Sequence, residues 1–256
     1  MRWGRAIGIR SALAAAAAAA SIAGCGGSSS SGEASKSPAT IVKDAAAALG
    51  HARSVQLGGV VPIGRRSTRV AIALETPTKV RIRFDQAPLL GQLVLAGGQA
   101  YVKGNAAFFL RFGGGMPANL ANAIAGRWFT LPPSAGNLAS VLRMFSIPTL
   151  SRCLPANHGT LRHAGTATVD GQQAIVIVDK GDRPGSRAGK LYVAATGTPF
   201  PLRFAATGAR RRGGTVPPGC TASGGQGNGV LTFSRYNESL GVTAPAGAVN
   251  LQALLG

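Results

Sequence analysis

Three cysteines, three histidines and a few scattered carboxylates are the groups in this 256-residue chain that could serve as nucleophiles, metal ligands or acid–base catalysts. Most of them do not converge. His158 and His163 lie five apart without a partner at ligand spacing, and His51 is remote, so no metal site is expected. Asp44, Glu75, Asp85, Asp170, Asp179, Asp182 and Glu238 are dispersed, and Asp170, followed by Gly171, reads as a turn residue. No G-x-S-x-G nucleophile elbow is present. The glycine-rich run 224–229 does not join a strand to a helix, which argues against a phosphate-binding loop. Neither a catalytic residue nor a cofactor is expected. The remaining chemistry is that of the thiols Cys25, Cys153 and Cys220.

Cys25 closes the run Ile22-Ala23-Gly24-Cys25, behind the positive residues Arg2, Arg5 and Arg10 and the apolar stretch from Ser11 to Ile22. Twelve residues are too few for a bilayer-spanning helix, which needs about 20, so residues 1–24 read as an export signal. Small residues before the cysteine resemble the lipobox of bacterial lipoproteins. That resemblance implies cleavage before Cys25 and acylation of its thiol and new amino terminus, palmitate being the expected acyl group. The mature chain would begin with residues 25–39, a lipidated cysteine and a flexible Ser/Gly-rich tether, followed by one domain over 40–256. Residues 26–39 reach at most about 46 Å fully extended, so the domain stays near the membrane.

An exported chain meets an oxidising environment, and once Cys25 is lipidated Cys153 and Cys220 form an even pair. A disulfide between them would close a 68-residue loop and stabilise by ~4 kcal/mol through lost chain entropy. The charge is strongly basic, with 27 Lys and Arg against 8 Asp and Glu and a formal net charge of +19. For an exported chain the expected counter-charge is anionic lipid head groups or acidic envelope polymers and not nucleic acid. Codon usage in a GC-rich genome would give the same arginine-rich composition.

The elements that must carry any site alternate in type. Ile41–Ala52 reads as an amphipathic helix with Thr40 as N-cap. From Ser54 the period becomes two. Val70, Ile72 and Leu74 share one face, as do Val80, Ile82 and Phe84 across a turn, with Lys79, Arg81 and Arg83 opposite as a solvated outer face. Gln92–Ala96 and Gln99–Lys103 form a hairpin around Gly97-Gly98, and Phe108–Phe112 is expected to extend the sheet. Ala118–Ile124 reads as a short helix, Arg127–Leu131 as a strand and Asn137–Phe145 as a second apolar-faced helix. Strands follow over Thr160–Val169, Gln172–Val178, Lys190–Ala194, Phe200–Ala206, Val230–Tyr236 and Gly241–Ala244, with Phe200, Leu202 and Phe204 on one face and a helical end over Ala248–Leu254. The sum is an α+β fold of roughly nine to eleven strands, a curled antiparallel sheet with helices on its concave side.

The segments LVLAGGQAYVKG (93–104), GRWFTLP (126–132), VDGQQAIVIV (169–178), LYVAATGTPFPLRF (191–204) and LTFSRYNESLGVTAPAGAVNL (231–251), in this order behind the lipobox, resemble mycobacterial lipoproteins of the LppX/LprG type. The resemblance implies a LolA/LolB-like fold, a half-open antiparallel barrel with helices on its concave side and a hydrophobic cavity. It also implies binding of multi-acylated lipids or glycolipids for transfer or presentation. The cysteine pair and the Arg210–Gly229 loop depart from that family's pattern.

The expected function is accordingly that of a non-catalytic envelope lipoprotein, anchored on the extracytoplasmic side, with a lipid ligand and an envelope transporter as partners. Val70, Ile72, Leu74, Val80, Ile82, Phe84, Phe200, Leu202 and Phe204 are the residues expected to line or border its cavity. The alternative is an interaction lipoprotein with a filled core whose basic surface holds an anionic envelope polymer or a protein partner.

Overall fold

The computed structural model describes residues 30–63, 66–76, 78–131, 142, 145–215, 217, 220 and 227–250. The export signal, Cys25, most of the helix expected at 137–145, and residues 251–254 of the helical end lie outside the described residues.

Helix α1 (Pro38–Gly50) begins earlier than expected, because Ser37 and not Thr40 is its N-cap. The Ser37 hydroxyl accepts a hydrogen bond from the Thr40 N–H at 3.2 Å, and Pro38 supplies the φ of the first turn without wasting a donor. The residues before it are not free tether. Ser31 N–H donates to the Ala195 carbonyl at 3.0 Å. Glu33, 2% exposed, is held by Lys36 at 2.6 Å, and Lys36 also reaches Asp44 at 2.6 Å. These carboxylates raise the Lys36 pKa above its ordinary value. The described part of the segment expected as tether is thus docked on the body through a polar network that composition alone does not reveal.

Among the described residues twelve strands form one open sheet: β1 (Ser54–Ile63), β2 (Arg66–Glu75), β3 (Lys79–Gln86), β4 (Leu89–Ala96), β5 (Gln99–Gly104), β6 (Phe129–Thr130), β7 (Leu161–Val169), β8 (Gln172–Asp179), β9 (Gly189–Ala194), β10 (Pro201–Ala206), β11 (Gly229–Ser234) and β12 (Val249–Asn250). The order β12-β6-β5-β4-β3-β2-β1-β11-β10-β9-β8-β7 is two meanders joined where β1 pairs with β11. All pairings are antiparallel except β12 with β6. The sheet curls as a half-open barrel, with α1, α2 (Ala106–Phe112), α3 (Ala118–Ile124) and α4 (Ile147–Cys153) against its concave face.

Several expectations change here. Phe108–Phe112 does not extend the sheet. The Asn105 side chain caps α2 by accepting from the Phe108 N–H at 3.0 Å, and Phe108 and Phe109 turn into the core. Gly241–Ala244 is not a strand; Leu240 and Val242 instead bury themselves on the outer face against Ala73, Val94 and Ala96. Val249 and Asn250, expected in a helix, pair with β6 as β12. Helix α4, not expected from the sequence, starts at the Ser146 cap with Pro148 in its first turn.

The main core joins Val55, Leu57, Val70, Ile72, Leu74, Val80, Ile82, Leu93 and Val102 of the sheet to Phe108, Phe109, Ile124, Leu142 and Ile147 of the covering segments. A second core packs Ile41, Val42 and Ala45 of α1 on Ile175, Ile177, Leu191 and Val193. Each fully buried side chain of this size contributes ~1.5–3 kcal/mol. Cys153, at the end of α4, is disulfide-bonded to Cys220, tying the long loop before β11 to the helical layer.

Candidate ligand groove

The nine side chains expected to border a cavity separate into groups. Val70, Ile72, Leu74, Val80 and Ile82 are buried in the main core against the helices. Phe84 packs on the edge of that core, its ring 5.3 Å from Phe108 and 6.4 Å from Phe112. Phe204 lies between the main and second cores. Leu202 does not share its face: a bulge between Pro201 and Arg203 breaks the alternation, and Leu202 joins Val169, Ala174 and Ala194 in a separate cluster. Phe200 stacks on Tyr236 with ring centroids 4.0 Å apart.

A cavity of about 890 Å³, open to solvent, lies on the other side of the sheet, across β1 to β5. Strand register explains its walls. One row of outward-pointing residues runs Ala71, Arg83, Gln92, Lys103 on successive strands, and the next runs Val60, Arg69, Asp85, Leu90. Between these rows lie Gly59, Val70, Phe84, Gly91 and Gly104. The alternation turns the side chains of Val70 and Phe84 towards the helices, so these two expected residues meet the groove with their main chain. Ala125 and Gly126 close the β5 end, where Gly126 N–H donates to the Gly104 carbonyl at 2.8 Å.

The groove combines apolar surface with unneutralised charge. Val60 is 40% and Leu90 49% exposed. Arg69, Arg83 and Lys103 enter none of the ion pairs among the described residues, which join Lys36 to Glu33 and Asp44, Lys79 to Glu75, Arg203 to Asp170, and Arg235 to Glu238. Asp85 is also outside these pairs, although it faces Arg69 across the β2–β3 ladder. Lys103 stands over the Trp128 ring, 5.9 Å from its centroid. An anion entering here would meet three cations and one carboxylate, with no pre-existing ion pair to break.

The signal for this site in the sequence was the basic stripe Lys79, Arg81, Arg83, which the structure divides. Lys79 pairs with Glu75 at 3.8 Å. Arg81 donates to the Leu240 and Gly241 carbonyls at 2.9 and 3.1 Å, pinning the carboxy-terminal segment. Arg83 is left to the groove. Ala71, Gln92 and Lys103 carried no signal of their own. The two histidines of the second half meet main-chain carbonyls: His158 Nδ1 lies 2.9 Å from that of Gly159 and His163 Nε2 2.9 Å from that of the distant Lys36. No group of three potential metal ligands occurs among the described residues.

Arginine also collects at the far end of the second meander. The Arg211 N–H donates to the Ser186 carbonyl at 2.8 Å, and Gly185 N–H donates to that of Arg211 at 3.0 Å. These bonds bring Arg183 and Arg187 beside Arg210, Arg211 and Arg212. Burial and the neighbouring Arg210 lower the Arg187 pKa. Nearby Asp182 is occupied by the Thr160 N–H at 2.6 Å, which holds its carboxyl below the usual range.

No protein-family model matches the chain, and no curated protein matches it. Solved structures do. LprF from Mycobacterium bovis is similar with a TM-score of 0.51 at 12% identity, over 83% of this chain and 100% of that one. The lipoprotein LppX from Mycobacterium tuberculosis is similar at 15% identity over 80% and 97% of the two chains, with a TM-score of 0.46. A LolA-superfamily protein from Nitrosomonas europaea is similar at 12% identity over 82% and 96%, with a TM-score of 0.25. At these identities the likeness concerns the fold.

Proposed function

We propose that this protein is a membrane-tethered lipid-binding protein of the cell envelope that works without a chemical step. The observation that carries the reading is the groove on β1 to β5: about 890 Å³, within the ~300–1,000 Å³ range of small-molecule sites, with apolar side chains and unpaired cations along the same walls. An amphiphile with an acyl chain and an anionic or strongly polar end matches both. The motifs shared with LppX/LprG-type lipoproteins point to a lipid or glycolipid as that amphiphile.

Exchange with a membrane fits the energetics. Burying a 16-carbon chain from water gains about 13 kcal/mol, at ~0.8 kcal/mol per methylene. Moving it from bilayer to protein changes the free energy far less, since both sites are apolar. Loading and unloading then need proximity rather than catalysis. Lipidation at Cys25 would supply proximity on the extracytoplasmic side, because the chain between Cys25 and the docked Ser31 spans at most about 20 Å. A partner transporter belongs to the same reading.

The test is purification without detergent from a host rich in acylated lipids, followed by mass spectrometry of the extract. A stoichiometric lipid that is lost in Ala71→Trp, which fills the groove, is the expected result. An empty protein, or a lipid retained unchanged in the variant, would overturn the assignment.

A second reading is favoured by the arginine cluster. Arg183, Arg210, Arg211 and Arg212 enter no ion pair among the described residues, as expected of a surface that holds an anionic envelope polymer. Salt-sensitive binding of such a polymer, lost on replacing these arginines while lipid content stays constant, separates the two readings.

A further inference from the structure

The two ends of the groove differ in chemistry. Along one register row, Ala71 on β2 is followed by Arg83, Gln92 and Lys103 on β3, β4 and β5. Neighbouring strands lie about 4.8 Å apart, so Arg83 and Lys103 are bases of a span of about 10 Å with the Gln92 amide at its centre. All three side chains belong to the outer face, and neither cation is paired with a carboxylate among the described residues. Towards β1 this row ends on Ala71, with the half-exposed Val60 beyond it, and Arg69 stands between Val60 and Asp85 in the other row. Asp85 lies in the other row, opposite Arg69, and leaves the Arg83–Gln92–Lys103 row without an acid.

We infer that Arg83, Gln92 and Lys103 form a head-group subsite that selects amphiphiles ending in an oxyanion, phosphate or carboxylate, with the chain laid towards Ala71 and Val60. The inference rests on the lipid-binding reading above and adds the class of head group. Arginine and lysine give charge-assisted hydrogen bonds to such oxygens, and the amide N–H of Gln92 adds a neutral donor between them. A sugar hydroxyl can accept from the same two cations but brings no negative charge to pair with them, so it gains less. The rigid strands fix the spacing, so selectivity needs no loop closure.

The experiment uses calorimetric titration of the full chain, stripped of lipid, with three probes: dodecyl phosphate, dodecyl maltoside and inorganic phosphate. Dodecyl phosphate is expected to bind about tenfold or more tighter than dodecyl maltoside, the preference shrinking as salt is raised. Arg83→Gln and Lys103→Gln should each reduce that preference several-fold, by weakening dodecyl phosphate more than dodecyl maltoside. Ala71→Trp should weaken both amphiphiles together, and unchanged thermal unfolding would show that these outer-face variants remain folded. Equal binding of the two amphiphiles, or a preference that survives both cation replacements, overturns the head-group subsite while leaving lipid binding intact. Failure of both amphiphiles to bind overturns the lipid reading itself, and with it the subsite. Inorganic phosphate binding as tightly as dodecyl phosphate does the same, because the site would then take a free anion.

Discussion

Phe108 fills the space that a side chain on Gly104 would need, so α2 seats against β5 through a ring where the strand has no Cβ. Gly91 on the next strand is open to the same ring and to Phe84. Phe108 in turn touches Phe109 and Phe112 at centroid distances of 5.3 and 5.0 Å, which carries the contact into the rest of the helix. The groove lies on the other side of these two glycines, so the aromatic plug and the groove floor share one piece of backbone.

Gly104→Ala is therefore expected to destabilise the protein by ~1–3 kcal/mol through overpacking against Phe108. Urea unfolding would read this as a lower midpoint with an unchanged slope. A midpoint equal to that of the unmodified protein would mean that Phe108 is not seated as described.

The Cys153–Cys220 bond joins residues 67 positions apart. Replacing both cysteines with serine should cost ~4 kcal/mol if chain entropy dominates. Alkylation followed by mass measurement should find both thiols blocked before reduction and free after it.

Tyr236 donates to the Pro201 carbonyl at 2.6 Å and stacks on Phe200, and burial pushes its pKa far above the ordinary value of about 10. Tyr236→Phe keeps the ring and loses the hydrogen bond, an expected cost of ~1 kcal/mol. The pH dependence has a definite sign. A raised folded-state pKa means that the contribution is complete below about pH 10 and is lost as the unfolded chain ionises above it. The stability difference between the protein and Tyr236→Phe should narrow between neutral pH and the alkaline range. A constant difference would contradict the burial.

Cys25→Ser should move the protein from the membrane fraction to the soluble fraction and remove an acyl mass from the mature amino terminus. A protein already soluble with Cys25 intact would overturn the anchor.

Much of the fold was legible locally. The two-residue period of Val70 to Leu74 and Val80 to Phe84 named the buried face of β2 and β3, because alternation is a property of a single strand. Gly97-Gly98 and Asp170-Gly171 named two hairpins, since turn chemistry is also local. Phe108–Phe112 is ambiguous in the sequence because its apolar run fits either a strand or a buried helix. The Asn105 cap and the notch opposite Phe108 decided between them. The alternation places Leu202 on the wrong face because a bulge between Pro201 and Arg203 adds one residue to the strand.

The sequence by itself determined the class of fold, the basic surface and the availability of one cysteine pair, since all three follow from composition and short-range periodicity. The tertiary structure decided where a ligand has room. Arg83 and Lys103 come from strands β3 and β5, and Ala71 and Val60 from β2 and β1. They line one groove only because four inter-strand registers bring them into neighbouring rows. Register between strands depends on the packing of the whole sheet, and no window of the chain contains it.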